Sequence, residues 1–307
     1  MQILVPNYYQ QFQCIAEQCK HNCCIGWEID IDDITMDYYR SLKDDFGASI
    51  LENIAEEEEP HFVLKEGDRC PFLNEKGLCD IILNLGKDAL CGICTDHPRF
   101  RNFYTNFVEM GLGLCCEEAA RIVLNSKKPF ALFSANKKDI QCTTEEEYYL
   151  TLREELFTLM QNRNVSMLER FSALAQHFGF DFTAFSMKEL CAKYLDLERL
   201  DSKWTGLLEN LKDFSLDFQI FEEELAIPFE QLVCYFLFRH FTEARWNGDI
   251  SQRVRMILSG CYLIGGLCGW HLQHCGTVTI KDMEEYVRMY SAEIEYSEEN
   301  IDSLLNF

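Results

Sequence analysis

Sixteen cysteines stand in this 307-residue chain, and ten of them crowd between Cys14 and Cys116. A free cysteine is ordinarily a sparse, buried small hydrophobe. Crowding on this scale narrows the choices to disulfides, thiol chemistry or metal ligation. Met1 to Ile15 carry no basic segment, apolar core or small-residue cleavage site of the kind that marks export. The expectation is therefore a cytoplasmic chain with reduced thiols, in which metal ligation or thiol chemistry comes before disulfides.

The spacing points the same way. The first group reads Cys14-x4-Cys19-x3-Cys23-Cys24, followed by Ile25-Gly26-Trp27. Close thiolates repel one another unless a cation neutralises them, so the group suits zinc or an iron–sulfur cluster. Adjacent cysteines cannot easily turn to one metal, so Cys23 and Cys24 serve different sites or one of them only packs. The second group runs Cys70-Pro71-Phe72-Leu73, Gly77-Leu78-Cys79, then Cys91-Gly92-Ile93-Cys94 and His97-Pro98-Arg99. Turns at Asn74 to Gly77 and after Leu85 would fold it back towards the first. Cys115-Cys116 head a predicted helix, Cys116 to Leu124, whose orphan amides favour a thiolate and whose first turn suits Glu117 and Glu118.

Other readings of these residues are weaker. A redox dithiol at Cys91 and Cys94 would need a strand before it and a helix after it, and Pro98 follows too soon. His97 reads as part of a turn before it reads as a ligand, and Trp27 as packing over the cluster. Cys261, Cys268 and Cys275, with His271 and His274 nearby, recur at seven-residue intervals and read as a core stripe of a helix.

The fold class expected is mainly α: a cysteine-rich cap of short strands, turns and helices packed on a helical, bundle-like body. Residues 1–125 form the metal or iron–sulfur region and 126–307 the helical body. Within the first, Thr35 to Leu42 is a short helix capped by Thr35 or Asp33, the acidic run Glu56 to Glu59 is a loop or helix end, and His61 to Lys65 and Asn102 to Val108 are strands. Within the second, helical spacing covers Thr144 to Gln161, Met167 to Phe178, Ser202 to Phe214, Pro228 to Trp246 and Ser251 to Cys275. The fourth should be central, because Leu232, Val233, Phe236, Leu237 and Phe241 give it a wide apolar face, with Pro228 at its first position.

An apolar content of 48% supports a substantial core, and a formal charge of -23 argues against nucleic-acid binding; the acidic surface reads first as a solvating one and second as one that attracts lysines of a protein substrate. Met256 to Trp270, the longest nearly uncharged apolar run, is interrupted by four glycines and falls short of the ~20 residues of a spanning helix. No transmembrane segment is read; peripheral membrane contact and oligomeric state are left open.

Against this reading stands a resemblance. Tyr8-Tyr9-x-x-Phe12-x-Cys14, the cluster Cys19-x3-Cys23-Cys24-x2-Trp27 and Asp30 or Asp32 are similar to the opening of the flagellin lysine N-methylases, the FliB family. Cys70-Pro71-Phe72-Leu73, Gly77-Leu78-Cys79, Leu85-Gly86, Cys94 and Pro98-Arg99 resemble its second motif. Cys116-Glu117-Glu118-Ala119-Ala120-Arg121 resembles its third, with Glu117 where proline is expected. In the helical body, Phe229 to Phe241 with Tyr235, Arg239 and His240 is the most similar part. Cys91 and Cys115 depart from the pattern.

The resemblance implies a protein-lysine N-methyltransferase that moves methyl from S-adenosylmethionine to lysines of flagellin. It also implies metal ligands drawn from Cys14, Cys19, Cys23, Cys24, Cys70, Cys79, Cys94 and Cys116, holding a 4Fe–4S cluster or, alternatively, zinc. A wider group of zinc- or iron-chelating cysteine-cluster proteins shares the motif, which keeps a non-catalytic metal-binding protein as the alternative. Lysine must lose its proton, and Asp30, Asp32, Tyr8 and Tyr9 beside the motifs are the candidate acceptors, none selected by the sequence. The Cys-x3-Cys-x2-Cys spacing of radical enzymes is absent, since Gly26 takes the third place. No glycine-rich strand–turn–helix signature marks a cofactor site.

Overall fold

A computed structural model of the chain describes residues 2–56, 59–134, 140–247 and 249–307. Glu57 and Glu58, inside the acidic run, lie outside the described residues. The chain is mainly α and divides into two compact units, Gln13–Phe100 and a larger one made of Met1–Phe12 with Arg101–Phe307.

The smaller unit is built from short elements tied by side-chain caps. Asp32 caps the helix Asp33–Ser41 by accepting from the Thr35 amide at 3.0 Å, one residue ahead of the predicted Asp33 and three ahead of Thr35. Asp44 caps Asp45–Glu52 by accepting from the Gly47 amide at 2.8 Å. A two-stranded antiparallel ribbon pairs Ile54–Ala55 with His61–Phe62. The turn expected at Asn74 to Gly77 forms because Asn74 Oδ1 accepts from the amides of Lys76 at 2.9 Å and Leu78 at 3.1 Å. Gly77 supplies the left-handed φ of 74°. Leu73 then pairs with Cys79 across that turn, and the short helices Asp80–Leu85 and Gly92–Asp96 follow. One apolar cluster holds the unit together, with Ile29, Tyr39, Ile50, Phe62, Phe72 and Cys70 in its interior.

The larger unit joins a four-stranded sheet to a helical body. The strand order is Arg99–Phe103, Phe107–Leu112, Gln2–Pro6, Leu132–Ser134. Gln2–Pro6 runs parallel to Phe107–Leu112 with Ile3 opposite Val108, and antiparallel to Leu132–Ser134 with Val5 opposite Phe133. The expected strand Asn102 to Val108 is corrected. Residues 104–106 form the turn of a hairpin, because Tyr104 folds back to stack on Phe107 with ring centroids 4.2 Å apart.

The helix Ala226–His240 is central, as its apolar width predicts. Every residue from Pro228 to His240 is buried, and it packs against Glu117–Leu124, Thr144–Met160 and Ile250–Cys275. It begins two residues before Pro228 and ends at His240, where a 3-10 turn, Phe241–Glu243, interrupts the predicted run to Trp246. Helix starts elsewhere carry reciprocal caps: Thr143 with Glu146, Ser166 with Glu169 and Thr279 with Asp282.

The glycines of Ile250–Cys275 are notches for neighbouring side chains. A Cβ on Gly265 would lie 2.5 Å from the Phe221 ring, one on Gly266 2.2 Å from Met187 Cε, and one on Gly260 2.6 Å from the Tyr290 hydroxyl. The predicted core stripe on this helix holds for Cys261 and Cys268, which are fully buried, while Cys275 at the helix end is exposed. Its histidines are engaged locally, His271 Nδ1 with the Tyr286 hydroxyl at 2.8 Å and His274 stacked on Trp270.

A thiol cluster and a buried polar network

In the smaller unit the two cysteine groups meet. Cys70 and Cys91 lie inside the apolar cluster, and Cys24, Cys79 and Cys94 pack against it. The Cys70 amide donates to the Cys24 carbonyl at 2.8 Å, which stitches the first group to the second. Cys23 and Cys24 share a thiol hydrogen bond. That bond pushes the Cys23 thiol down to about 7 and holds the Cys24 thiol well up.

Cys91 and Cys94 form a second such pair, with Cys91 lowered by the bond from Cys94 and Cys94 raised. Burial pushes the Cys70 thiol up to about 11, against the pull of the Phe72 amide, and raises Cys79 as well. Cys24, Cys70, Cys79, Cys91 and Cys94 are close enough to raise one another electrostatically. Such a group tolerates protons or a cation but not bare thiolates.

Of the eight cysteines in the expected ligand set, Cys23, Cys24, Cys70, Cys79 and Cys94 are thus brought together. Cys14 is exposed and accepts from the Ala16 amide at 3.4 Å, and the Cys19 thiol donates to the His21 carbonyl at 3.3 Å. Cys116 belongs to the larger unit, where it stands at the head of the helix Glu117–Leu124 as expected. Among the described residues no three Cys, His, Asp or Glu side chains are grouped as a single metal ion requires. The donor chemistry itself, soft sulfur on short loops in an apolar setting, suits zinc or an iron–sulfur cluster.

Around the thiols, Trp27 Nε1 donates to the Cys23 carbonyl at 2.6 Å, and the Trp27 ring meets His97 edge-on at 5.2 Å. Burial, with Arg99 adding to it, pushes His97 down to about 4, so the imidazole is neutral. Asp32, one of the candidate proton acceptors, is committed to structure. Burial would raise it, but hydrogen bonds from the Gly92 and Thr35 amides and the Thr35 hydroxyl hold it below the usual carboxylate range.

The larger unit contains a buried network that sequence reasoning saw only in part. Tyr235 and Arg239, four residues apart on the central helix, face the same side, and His240 follows. Glu295, at the end of the helix Ile280–Ile294, meets all three. Its Oε2 accepts from the Tyr235 hydroxyl at 2.9 Å, and its Oε1 lies 2.7 Å from His240 Nε2 and 3.4 Å from Arg239 Nε. Arg239 also donates to the Glu295 carbonyl at 2.8 Å and to the Tyr235 hydroxyl at 2.9 Å, and lies 4.6 Å over the Tyr296 ring.

Burial would raise Glu295, but the Arg239 charge and the His240 bond outweigh it and keep the carboxyl ionised. Burial lowers His240 despite its bond to Glu295. Tyr8 is fully buried nearby in the same unit, its hydroxyl without a hydrogen-bond partner among the described residues and its pKa raised by burial, then by the Cys234 and Glu295 charges. Tyr9 donates to Met110 Sδ at 2.6 Å. No signal singled out Glu295, because a glutamate closing an amphipathic helix reads as a solvated end.

Comparison with known proteins bears on the second of these sites. The family described as FliB lysine N-methylase C-terminal domain matches residues 178–307, which include Tyr235, Arg239, His240 and Glu295. A protein named Lysine-N-methylase from Salmonella typhimurium is 26% identical over 221 residues, covering 67% of this chain and 53% of that one. A Flagellar biosynthetic protein FliU from Salmonella muenchen is 30% identical over 140 residues, covering 41% of this chain and 79% of that one. No solved structure matches. The chain spans about half the length of the lysine-N-methylases it matches. This chain belongs to the FliB lysine N-methylase family.

Proposed function

We propose that the chain is a protein-lysine N-methyltransferase that carries methyl groups from S-adenosylmethionine to lysines of flagellin, with its thiol cluster holding an iron–sulfur centre. The observation that carries this is the likeness to proteins named Lysine-N-methylase across two thirds of the chain, the C-terminal match lying over the buried Tyr235–Arg239–His240–Glu295 network. Cys24, Cys70, Cys79 and Cys94 are the cysteines of the expected set that would hold the centre, with Cys23 beside them. When bound, such a centre supplies an iron site able to meet the methionine moiety of the cofactor or to pass electrons.

A free lysine, with a pKa of about 10.4, is almost wholly protonated at neutral pH, so the site must take up or exclude that proton. The neutral amine is then nucleophilic enough for in-line displacement at the sulfonium methyl without a radical. Glu295, tied to Arg239 and held ionised, is a fixed anion at neutral pH and so serves to position the network. The formal charge of -23 favours the approach of a lysine-bearing surface. A cytoplasmic location belongs to the same proposal; among the described residues no helix is long and apolar enough to cross a membrane.

The test is transfer of labelled methyl groups from S-adenosylmethionine to the cognate flagellin by metal-replete protein prepared without oxygen. Label on flagellin lysines is the expected result. Unlabelled flagellin, with metal bound and no affinity for the sulfonium cofactor, would replace the methylase with a metal-binding protein.

A further inference from the structure

The buried network of the larger unit reaches the surface at Tyr296. Glu295 is 5% exposed, whereas Tyr296, next in the chain, is 43% exposed. The ring is backed on its inner side by the Arg239 guanidinium, 4.6 Å from its centroid. Arg239 is itself held by the Tyr235 hydroxyl and by the carbonyl and carboxylate of Glu295. At the far end of the ring, the Tyr296 hydroxyl shares a hydrogen bond with the Cys115 thiol, on the loop ahead of the helix Glu117–Leu124. All of these residues belong to the larger unit.

An exposed tyrosine ordinarily turns between rotamers, and a ligand that stacks on it must stop that motion. Here the ring is fixed beforehand, by a buried cation behind it and a thiol at its tip, so stacking on it carries little ordering cost. The charge behind the ring also selects what suits the side left open. A cation over one face already draws on the negative potential of the ring, so a second cation gains little from the other face. The sulfonium and the substrate ammonium of the proposed reaction are both cations. The adenine of the proposed cofactor is flat, neutral and aromatic, and stacks well on a tyrosine.

We propose that Tyr296 is the platform on which the adenine of S-adenosylmethionine stacks, with Arg239 and Cys115 as the groups that hold the ring in place. The inference rests on the methylase reading, and its test separates the two. The full chain, metal-replete and prepared without oxygen, is titrated calorimetrically with S-adenosylhomocysteine, the cofactor without its methyl group and positive charge. The forms compared are wild type, Tyr296→Phe, Tyr296→Leu and Tyr148→Leu, the last altering an exposed tyrosine on the helix Thr144–Met160.

Wild type, Tyr148→Leu and Tyr296→Phe, which keeps the ring, should bind alike to within about twofold, and Tyr296→Leu should bind about tenfold more weakly. Equal affinity in Tyr296→Leu would overturn the platform and leave the methylase reading standing. No binding by the wild type would overturn both. A loss in Tyr296→Phe as large as that in Tyr296→Leu would assign the effect to the hydroxyl and overturn stacking.

A further variant keeps the test decisive where Tyr296→Leu fails to fold. Tyr296→Trp retains an aromatic platform, and its added fluorescence should be quenched in step with S-adenosylhomocysteine binding. Binding that leaves this added fluorescence unchanged would refute stacking at Tyr296.

Discussion

Replacing Glu295 by glutamine keeps the shape of the buried network and removes only its negative charge. Arg239, 8% exposed, would then be a buried cation that has lost the Glu295 carboxylate as its partner. Breaking such a pair from one side typically costs ~3–5 kcal/mol. Arg239 keeps its bonds to the Glu295 backbone carbonyl and the Tyr235 hydroxyl, so the lower end, ~3 kcal/mol, is expected. For a unit of this size that corresponds to a Tm lowered by ~6–12 °C.

The assay is urea unfolding followed by far-UV circular dichroism, with the midpoint shifting and the slope unchanged. The double variant Glu295→Gln, Arg239→Met removes the stranded cation and should regain most of the loss. A single variant that costs less than ~1 kcal/mol, or a double variant no more stable than the single, would refute the reasoning that charge compensation holds this network.

Three further outcomes follow from the packing and the charges. Gly265→Ala should cost ~1–2 kcal/mol net of the gain in helix propensity. The new methyl meets a Phe221 ring already wedged against Phe171, Phe182 and Phe229, whereas Gly266→Ala meets chiefly the flexible end of Met187, with Leu211 Cδ1 3.4 Å away, and should fall within ~1 kcal/mol of wild type. Equal melting temperatures for the two variants would sink this distinction. Tyr8→Phe removes a buried hydroxyl that has no hydrogen-bond partner among the described residues, so stability should be unchanged or higher by up to ~1 kcal/mol; a clear loss would mean the hydroxyl is bonded. Stability should fall in acid in two steps. His240, facing Glu295, Arg239 and Arg253, is held below its ordinary 6.5, so unfolding takes up a proton as pH drops below that value. Glu295, held below 4.5, adds its loss under that pH. Midpoints in urea that stay flat from pH 7 to 4 would contradict this.

Much of the fold was legible from the sequence. The helices Thr144–Met160, Met167–His177 and Ile250–Cys275 lie where their spacing puts them, because long amphipathic or apolar periods outweigh any alternative. The turn at Asn74 was equally readable, since its side chain and Gly77 carry the geometry locally. The helices Met187–Leu195, Ile280–Ile294 and Glu298–Leu305 were not singled out. Gln2–Pro6 was missed as well, its strand state set by distant partners at Val108 and Phe133 rather than by its own five residues.

The sites divide along the same line. Composition and spacing determined that the chain gathers thiols in its first third, because crowded sulfur has few physical uses in a reduced chain. Only the tertiary structure decided which sulfurs share one apolar core, bringing in Cys91 and leaving Cys14 exposed. It also decided that Glu295 compensates Arg239, because a buried charge finds its partner through space, 56 residues along the chain.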